Sequence, residues 1–339
     1  MIPISKPSRH DAAQAQRPWQ RQLAGAVTEP AELLARVGLD AAAPAMPAAA
    51  TVFPLRATDA FIRRIQAGHP DDPLLRQILP VVAEDQEQPG FDNDPVGDGP
   101  ACIAPNLLYK YAGRVLLLVS DTCACHCRFC FRRHRQPEVT NTAAPAWQPA
   151  LAAIARDPSI TEVILSGGDP LLLTDTLLAP LAARLADIDH IQRLRIHSRM
   201  PIVLPARIDP ALCRWLQHSR LQIVMVVHCN HPNEIDAEVR QALATLRACG
   251  CTLLSQSVLL AGVNDDSKVL AALSERLFSA QVLPYYLHML DAVQGAAHFQ
   301  VSEARARALV EALRRALPGY LVPRLVREIA GRPAKQPVF

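Results

Sequence analysis

Lysine is scarce in this chain. Of its 35 basic residues only Lys6, Lys110, Lys268 and Lys335 are lysines, and the rest are arginine. Lysine alone forms a Schiff base, so each lysine kept in an arginine-rich chain raises a question of purpose. Lys6 and Lys268 read as surface residues. No run of 18 apolar residues is present, which excludes a membrane-spanning helix. Residues 1–10 lack the apolar stretch of a signal peptide. The net charge of +3 comes without a Lys/Arg block, so nucleic acid is not an expected partner. A second cysteine pair at zinc spacing is also missing: Cys249 and Cys251 stand too close together, and Cys213 and Cys229 are isolated. Nine cysteines, an odd number concentrated at one place, suit a reducing cytoplasm better than a disulfide framework.

What is present starts at that concentration. Cys123, Cys125, Cys127 and Cys130 fall within eight residues, directly after an apolar strand-like run at 114–120. Cys123, Cys127 and Cys130 have C-x3-C-x2-C spacing. Three thiolates would hold a four-iron cluster and leave the fourth iron open to a substrate or cosubstrate. Cys125 could replace Cys123, although C-x-C-x2-C leaves the loop less slack. A structural zinc site is the bland alternative.

Residues 1–105 read as an N-terminal helical extension and linker. Short amphipathic helices are expected at 18–25, 29–37 and 59–67, and an acidic Gly/Pro-rich linker or surface loop at 84–105. From 106 to 317 apolar runs at 115–119, 162–165, 194–197, 222–228, 253–259 and 284–289 alternate with helical patterns. Those helices are expected at 147–156, 175–187, 210–217, 234–248, 266–280 and 303–317. Six β-α units with near-continuous apolar strands predict an α/β fold, a parallel sheet covered by helices. Six are too few for a closed eight-stranded barrel, leaving a partial barrel or an open sheet. Polar residues recur at the strand ends, at 120–122, 166–169, 197–199, 228–231, Gln256 and Asp291, where such folds place their chemistry.

Ser166-Gly167-Gly168-Asp169 follows a strand, and its glycines suit either a tight turn or close backbone approach to a ligand. His228-Cys-Asn-His-Pro-Asn-Glu234 reads as a polar pocket wall or as a helix start capped near Pro232 or Asn233. Arg132-Arg-His-Arg135 is either a solvated charge run or a source of one carboxylate-binding arginine. The segment 318–339 ends four residues after Lys335, and spacing alone gives that lysine no role.

Together these residues resemble the radical S-adenosylmethionine (SAM) superfamily and, within it, lysine 2,3-aminomutases. The resemblance covers about 54–337. It rests on 109–118, 123–134, 166–169, Ser198-Arg-Met-Pro-Ile-Val-Leu-Pro, His231-Pro-Asn-Glu234, 256–265, Pro284-Tyr-Tyr and the Lys335-Gln-Pro tail. The stop soon after Lys335 resembles the elongation factor P β-lysylation subgroup.

The resemblance implies a partial (β/α)6 radical SAM barrel with a short C-terminal tail that binds pyridoxal phosphate (PLP). It implies a 4Fe–4S cluster on Cys123, Cys127 and Cys130, with Cys125 a non-ligand. SAM would lie along Ser166, Gly167, Gly168 and Asp169, and Lys335 would carry PLP. Lys110, Arg114 and Gln256 would hold the PLP phosphate, Arg132 the substrate α-carboxylate, and Asp291 with Glu328 its ε-ammonium. The implied reaction is isomerisation of L-α-lysine to β-lysine, with the R isomer expected. Implied partners are a flavodoxin- or ferredoxin-like electron donor and a ligase that places β-lysine on elongation factor P, with a homo-oligomer left open. The rivals are another radical SAM enzyme (a maturase or RNA-modifying enzyme), an aminomutase for a different amino acid, and a non-catalytic metal module.

Overall fold

The computed structural model describes residues 17–39, 48–135 and 147–339. Lys6 and the stretch read for a signal peptide lie outside the described residues. Lys268 is exposed, as expected.

One ten-stranded sheet runs in chain order from β1 to β10. β1 (Cys102–Ala104) and β2 (Leu107–Tyr111) form an antiparallel flank on β3 (Arg114–Ser120). Then come seven parallel strands from β3 onward: β4 (Glu162–Gly167), β5 (Arg193–Ser198), β6 (Gln222–His228), β7 (Thr252–Val258), β8 (Leu283–His288) and β9 (Arg324–Arg327). β10 (Gln336–Pro337) returns antiparallel on β9. The helices are α1 (Pro18–Ala24), α2 (Pro30–Arg36), α3 (Ala49–Val52), α4 (Asp59–Ile62), α5 (Gln148–Arg156), α6 (Asp175–Ala186), α7 (Met200–Val203), α8 (Pro210–His218), α9 (Ala237–Ala248), α10 (Ser267–Ser279) and α11 (Glu303–Ala316).

Six β-α units, β3 to β8 with their following helices, form the expected partial barrel. Among the described residues no ladder joins β1–β2 to β9–β10. The sheet nevertheless curls until its flanks touch: Tyr111 Oη on β2 donates to Glu328 Oε1 just past β9 at 2.5 Å.

The helices cover the sheet with apolar stripes at helical spacing. α9 buries Val239, Ala242, Leu243 and Leu246, and α11 buries Ala306, Leu309, Val310 and Leu313. Asp209, Asp236 and Asp266 cap α8, α9 and α10 by accepting from backbone N–H groups of the first turn. The helix expected from 234 begins instead at Ala237. Residues Pro232–Glu234 form a separate 3₁₀ turn that His231 caps, and Asp236 then starts the helix.

The expected 59–67 helix stops after one turn. Arg64 Nε donates to Ala60 O (2.9 Å), and its guanidinium reaches on to the backbone oxygens of Glu234 and Ile202. That long-range anchor replaces helix continuation.

Near-continuous apolar strands were expected, but β5 and β7 alternate. In β5, Leu194 and Ile196 are buried under helices while Arg195 and His197 face the interior. The inner face lines a polar cavity, which explains the period of two. The stretch from 84 is no free linker either. Glu84 is fully buried against two arginines, because its partners lie far along the chain.

Candidate functional site

A cavity of about 510 Å³ opens at the C-terminal ends of the parallel strands. It is lined by the residues to which the resemblance gives a role: the three spaced cysteines, Ser166 to Asp169, Lys110, Arg114, Arg132, Gln256, Asp291, Glu328 and Lys335.

Cys123, Cys127 and Cys130 are half-buried on the loop after β3. Cys125 is buried in the main apolar cluster. The loop is pinned by the N-terminal extension at several points. His126 N and Arg128 N donate to Arg56 O and Gln77 O, each at 2.9 Å. The Arg128 guanidinium forks onto Glu84 (2.9 and 2.5 Å), and Arg133 Nη2 reaches the same carboxylate at 2.5 Å. Phe53 lies under both cations. Sequence reasoning missed Glu84 and Gln77, since no local pattern links them to a loop some fifty residues on.

Ser166-Gly-Gly-Asp169 packs against the start of this loop. Gly168 N donates to Ser120 O (2.5 Å) and Asp169 N to Thr122 O (2.8 Å). Gly167 has φ 120°, and a Cβ there would lie 2.1 Å from Ser120 O; one at Gly168 would lie 2.2 Å from Thr122 O. The glycines are therefore required by the protein's own backbone. Asp169 turns its carboxylate to Ser198 Oγ and to the N–H groups of Leu171, Arg199 and Met200. It thus fixes the turn after β5, while burial pushes its carboxyl up to about 6.

On that turn Arg199 is buried between Phe61 and Phe129. Its Nη1 donates to Cys127 Sγ (2.6 Å), and its Nη2 to Gln77 Oε1 (2.7 Å) and Glu234 Oε2 (3.0 Å). Glu234 is itself fully buried and accepts from Asn230 N, His231 N and Gln77. The 228–234 segment therefore divides its work. His228 faces the cavity and shares a hydrogen bond with Gln256 (2.8 Å), while His231 is a cap.

The arginine run also separates into individual roles. Arg132 faces the cavity, with Nε on Asp98 (2.6 Å) and Nη1 on Ser166 Oγ (3.3 Å). His134 bonds Gln294 O, and Arg135 bonds Asp121.

Lys335, which also lines the cavity, precedes β10, whose pairing with β9 keeps this late lysine in place. Lys335 Nζ donates to Glu328 Oε2 at 2.6 Å. Lys110 pairs with Asp98 at 2.6 Å and lies 3.9 Å from Glu328. Burial pushes the Asp291 carboxyl up to about 6, against the pull of Lys335. Glu328 is held below its ordinary range because Lys335 and Tyr111 outweigh its burial. Arg114 lies over the Tyr111 ring and has no carboxylate partner among the described residues.

The donor sets suit the groups that the resemblance implies. Four thiols line the cavity, those of Cys123, Cys127 and Cys130 and that of Cys125, which is also part of the main apolar cluster. No three His, Cys, Asp or Glu among the described residues form a group that could hold a single metal ion. Thiol sulfur is the donor that an iron–sulfur cluster takes. Near Lys335, the buried Nε2 atoms of His197 and His288 have no protein partner and face the cavity. With Lys110, Arg114 and Lys335 they form a wall suited to an anionic, polar ring compound.

Residues 112–192 match a family described as a 4Fe-4S single cluster domain. An L-lysine 2,3-aminomutase of Escherichia coli (strain K12) is 48% identical over 340 residues, covering 100% of this chain and 97% of that protein. A protein of that name from Haemophilus influenzae is 48% identical over 288 residues, 85% of each chain. Another from Buchnera aphidicola is 41% identical over 319 residues, 94% of each. A radical SAM methyltransferase structure from Sphaerobacter thermophilus is similar over 65% of this chain and 68% of its own, with TM-score 0.46 and 18% identity. By its similarity over nearly full length to these relatives, the chain belongs to the L-lysine 2,3-aminomutase family.

Proposed function

We propose that the protein is a radical SAM, PLP-dependent isomerase that moves the amino group of L-lysine from Cα to Cβ. The carrying observation is that one cavity is lined both by Cys123, Cys127 and Cys130 and by Lys335, together with the charged side chains of Arg132, Asp291 and Glu328. In this reading the three cysteines hold a 4Fe–4S cluster and Cys125 stays in the core. Ser166, Gly167 and Gly168 lie along SAM, and Asp169 acts by fixing the neighbouring turn. Lys335 holds PLP, and Lys110, Arg114 and Gln256 hold its phosphate. When bound, cluster and SAM supply the radical and PLP the conjugated system across which nitrogen migrates.

The protein's own part is position, charge and exclusion of water. Arg132 takes the substrate α-carboxylate at one end, and Asp291 with Glu328 takes the ε-ammonium at the other. The contact of Lys335 with Glu328 supports this, because that carboxylate already accepts an ammonium group. The separation of the two charged ends sets the length of amino acid that fits.

The finer reading is that the product is (R)-β-lysine, passed to a ligase that modifies elongation factor P, with a flavodoxin- or ferredoxin-like protein as reductant. Anaerobic incubation with lysine, SAM, PLP and dithionite, followed by chiral analysis, tests substrate and product together. Lys335→Ala should yield no β-lysine while iron and sulfide content stay unchanged. Unchanged activity in that variant would overturn the PLP-dependent aminomutase reading, and SAM cleavage by the parent protein without β-lysine would favour another radical SAM activity, which needs neither Lys335 nor Asp291.

A further inference from the structure

Most of the cavity wall is explained by the proposed reaction, but one buried charge is not. Arg199 touches none of the positions assigned to substrate or PLP. It spends its guanidinium on Cys127 Sγ, Gln77 and Glu234, sandwiched between two phenylalanine rings. We propose that Arg199 is a positioning residue that tunes the iron–sulfur cluster, through its N–H bond to the Cys127 sulfur, toward easier reduction. The inference rests on the reading that Cys127 is a cluster ligand.

The physical reason is charge. Adding an electron to the cluster increases negative charge at its sulfur ligands, and hydrogen bonds and cations at those sulfurs raise the reduction potential. Arginine keeps its proton at any working pH and presents its donors as a rigid fork. Here the fork is held at several points: it lies 5.2 and 5.6 Å from the ring centres of Phe61 and Phe129, and its Nη2 donates to Gln77 and Glu234. Glu234 lies at 0% exposure and opposes the arginine from behind, so it moderates the field that reaches Cys127. Arg199 and Glu234 should therefore act on the cluster with opposite sign. A purely structural pair would not, since losing either partner would loosen the same contacts.

The test is a redox titration of reconstituted protein, following the reduced cluster by electron paramagnetic resonance. Arg199→Gln should lower the reduced-to-oxidised ratio at fixed poise about tenfold, 59 mV for a one-electron couple. Glu234→Gln should move the midpoint the other way, and Arg199→Lys, which keeps the charge but loses the fork, should fall between Arg199→Gln and the parent protein. If Arg199→Gln does not take up iron, Arg199→Lys and Glu234→Gln carry the test on their own. Unmoved midpoints, or shifts of the same sign in the Arg199 and Glu234 variants, overturn the inference. Cys127→Ala separates this from the underlying reading: full cluster content in that variant would refute Cys127 as ligand, whatever Arg199 does.

Discussion

At the scale of single residues, Asp291 offers a direct link between burial and function. Its carboxyl is raised to about 6 by burial, so it is mostly ionised at neutral pH and becomes neutral as pH falls through 6. A neutral acid no longer attracts an ammonium group. Under the proposed reading, KM for lysine should rise as pH falls below about 6, and kcat/KM measured between pH 5 and 8 checks this. Asp291→Asn should remove that pH limb and cost about 2 kcal/mol of binding, roughly thirtyfold in KM. A flat profile in the parent protein would count against the assignment. Gly168 gives a second residue-scale expectation. Its Cβ would meet Thr122 backbone at 2.2 Å, and backbone cannot move aside as a side-chain tip can. Gly168→Ala should therefore displace the root of the cysteine loop and lower iron incorporation, read by iron and sulfide analysis.

Among elements, the cysteine loop depends on a partner that is distant in sequence. Glu84 ties Arg128 and Arg133 in a fully buried ionic group, and removing one member of such a group costs about 3–5 kcal/mol because the others stay buried and unpaired. Glu84→Ala should lower the denaturation midpoint by an amount of that order, with cluster loss preceding global unfolding. What could be seen in the sequence follows the same division between local and distant. The three cysteines and the strand before them form a local pattern, so the thiol wall of the cavity was legible from spacing. The six β-α units were legible from apolar runs alternating with capped helical stripes. Glu84 was not, because an acid in a Gly/Pro-rich stretch looks solvated until its arginines are brought up to it. β9 and β10 were missed for another reason: four residues carrying two arginines, and two more with a proline, make too weak a strand signal. Lys335 had no role from spacing and gained one from family resemblance alone; the β9–β10 pairing supplies the physical cause of its fixed position.

For the whole molecule, the contact between Tyr111 and Glu328 has a consequence for traffic. Around most of the barrel, neighbouring strands are stitched by continuous ladders, and these do not part without unfolding. Between β2 and the end of β9 there is a side-chain latch instead: the Tyr111 phenol and, at 3.9 Å, the Lys110 ammonium reach the Glu328 carboxylate that Lys335 holds from its own side. A seam of that kind opens at the cost of a few hydrogen bonds. Tyr111→Phe should raise amide hydrogen exchange in β1, β2 and 328–337 while leaving β4 to β7 protected; uniform exchange across the sheet would argue against a seam. Glu328 serves both the latch and Lys335. Under the proposed reading, a group bound on Lys335 would take one cation from Glu328 and so change how firmly the seam is held.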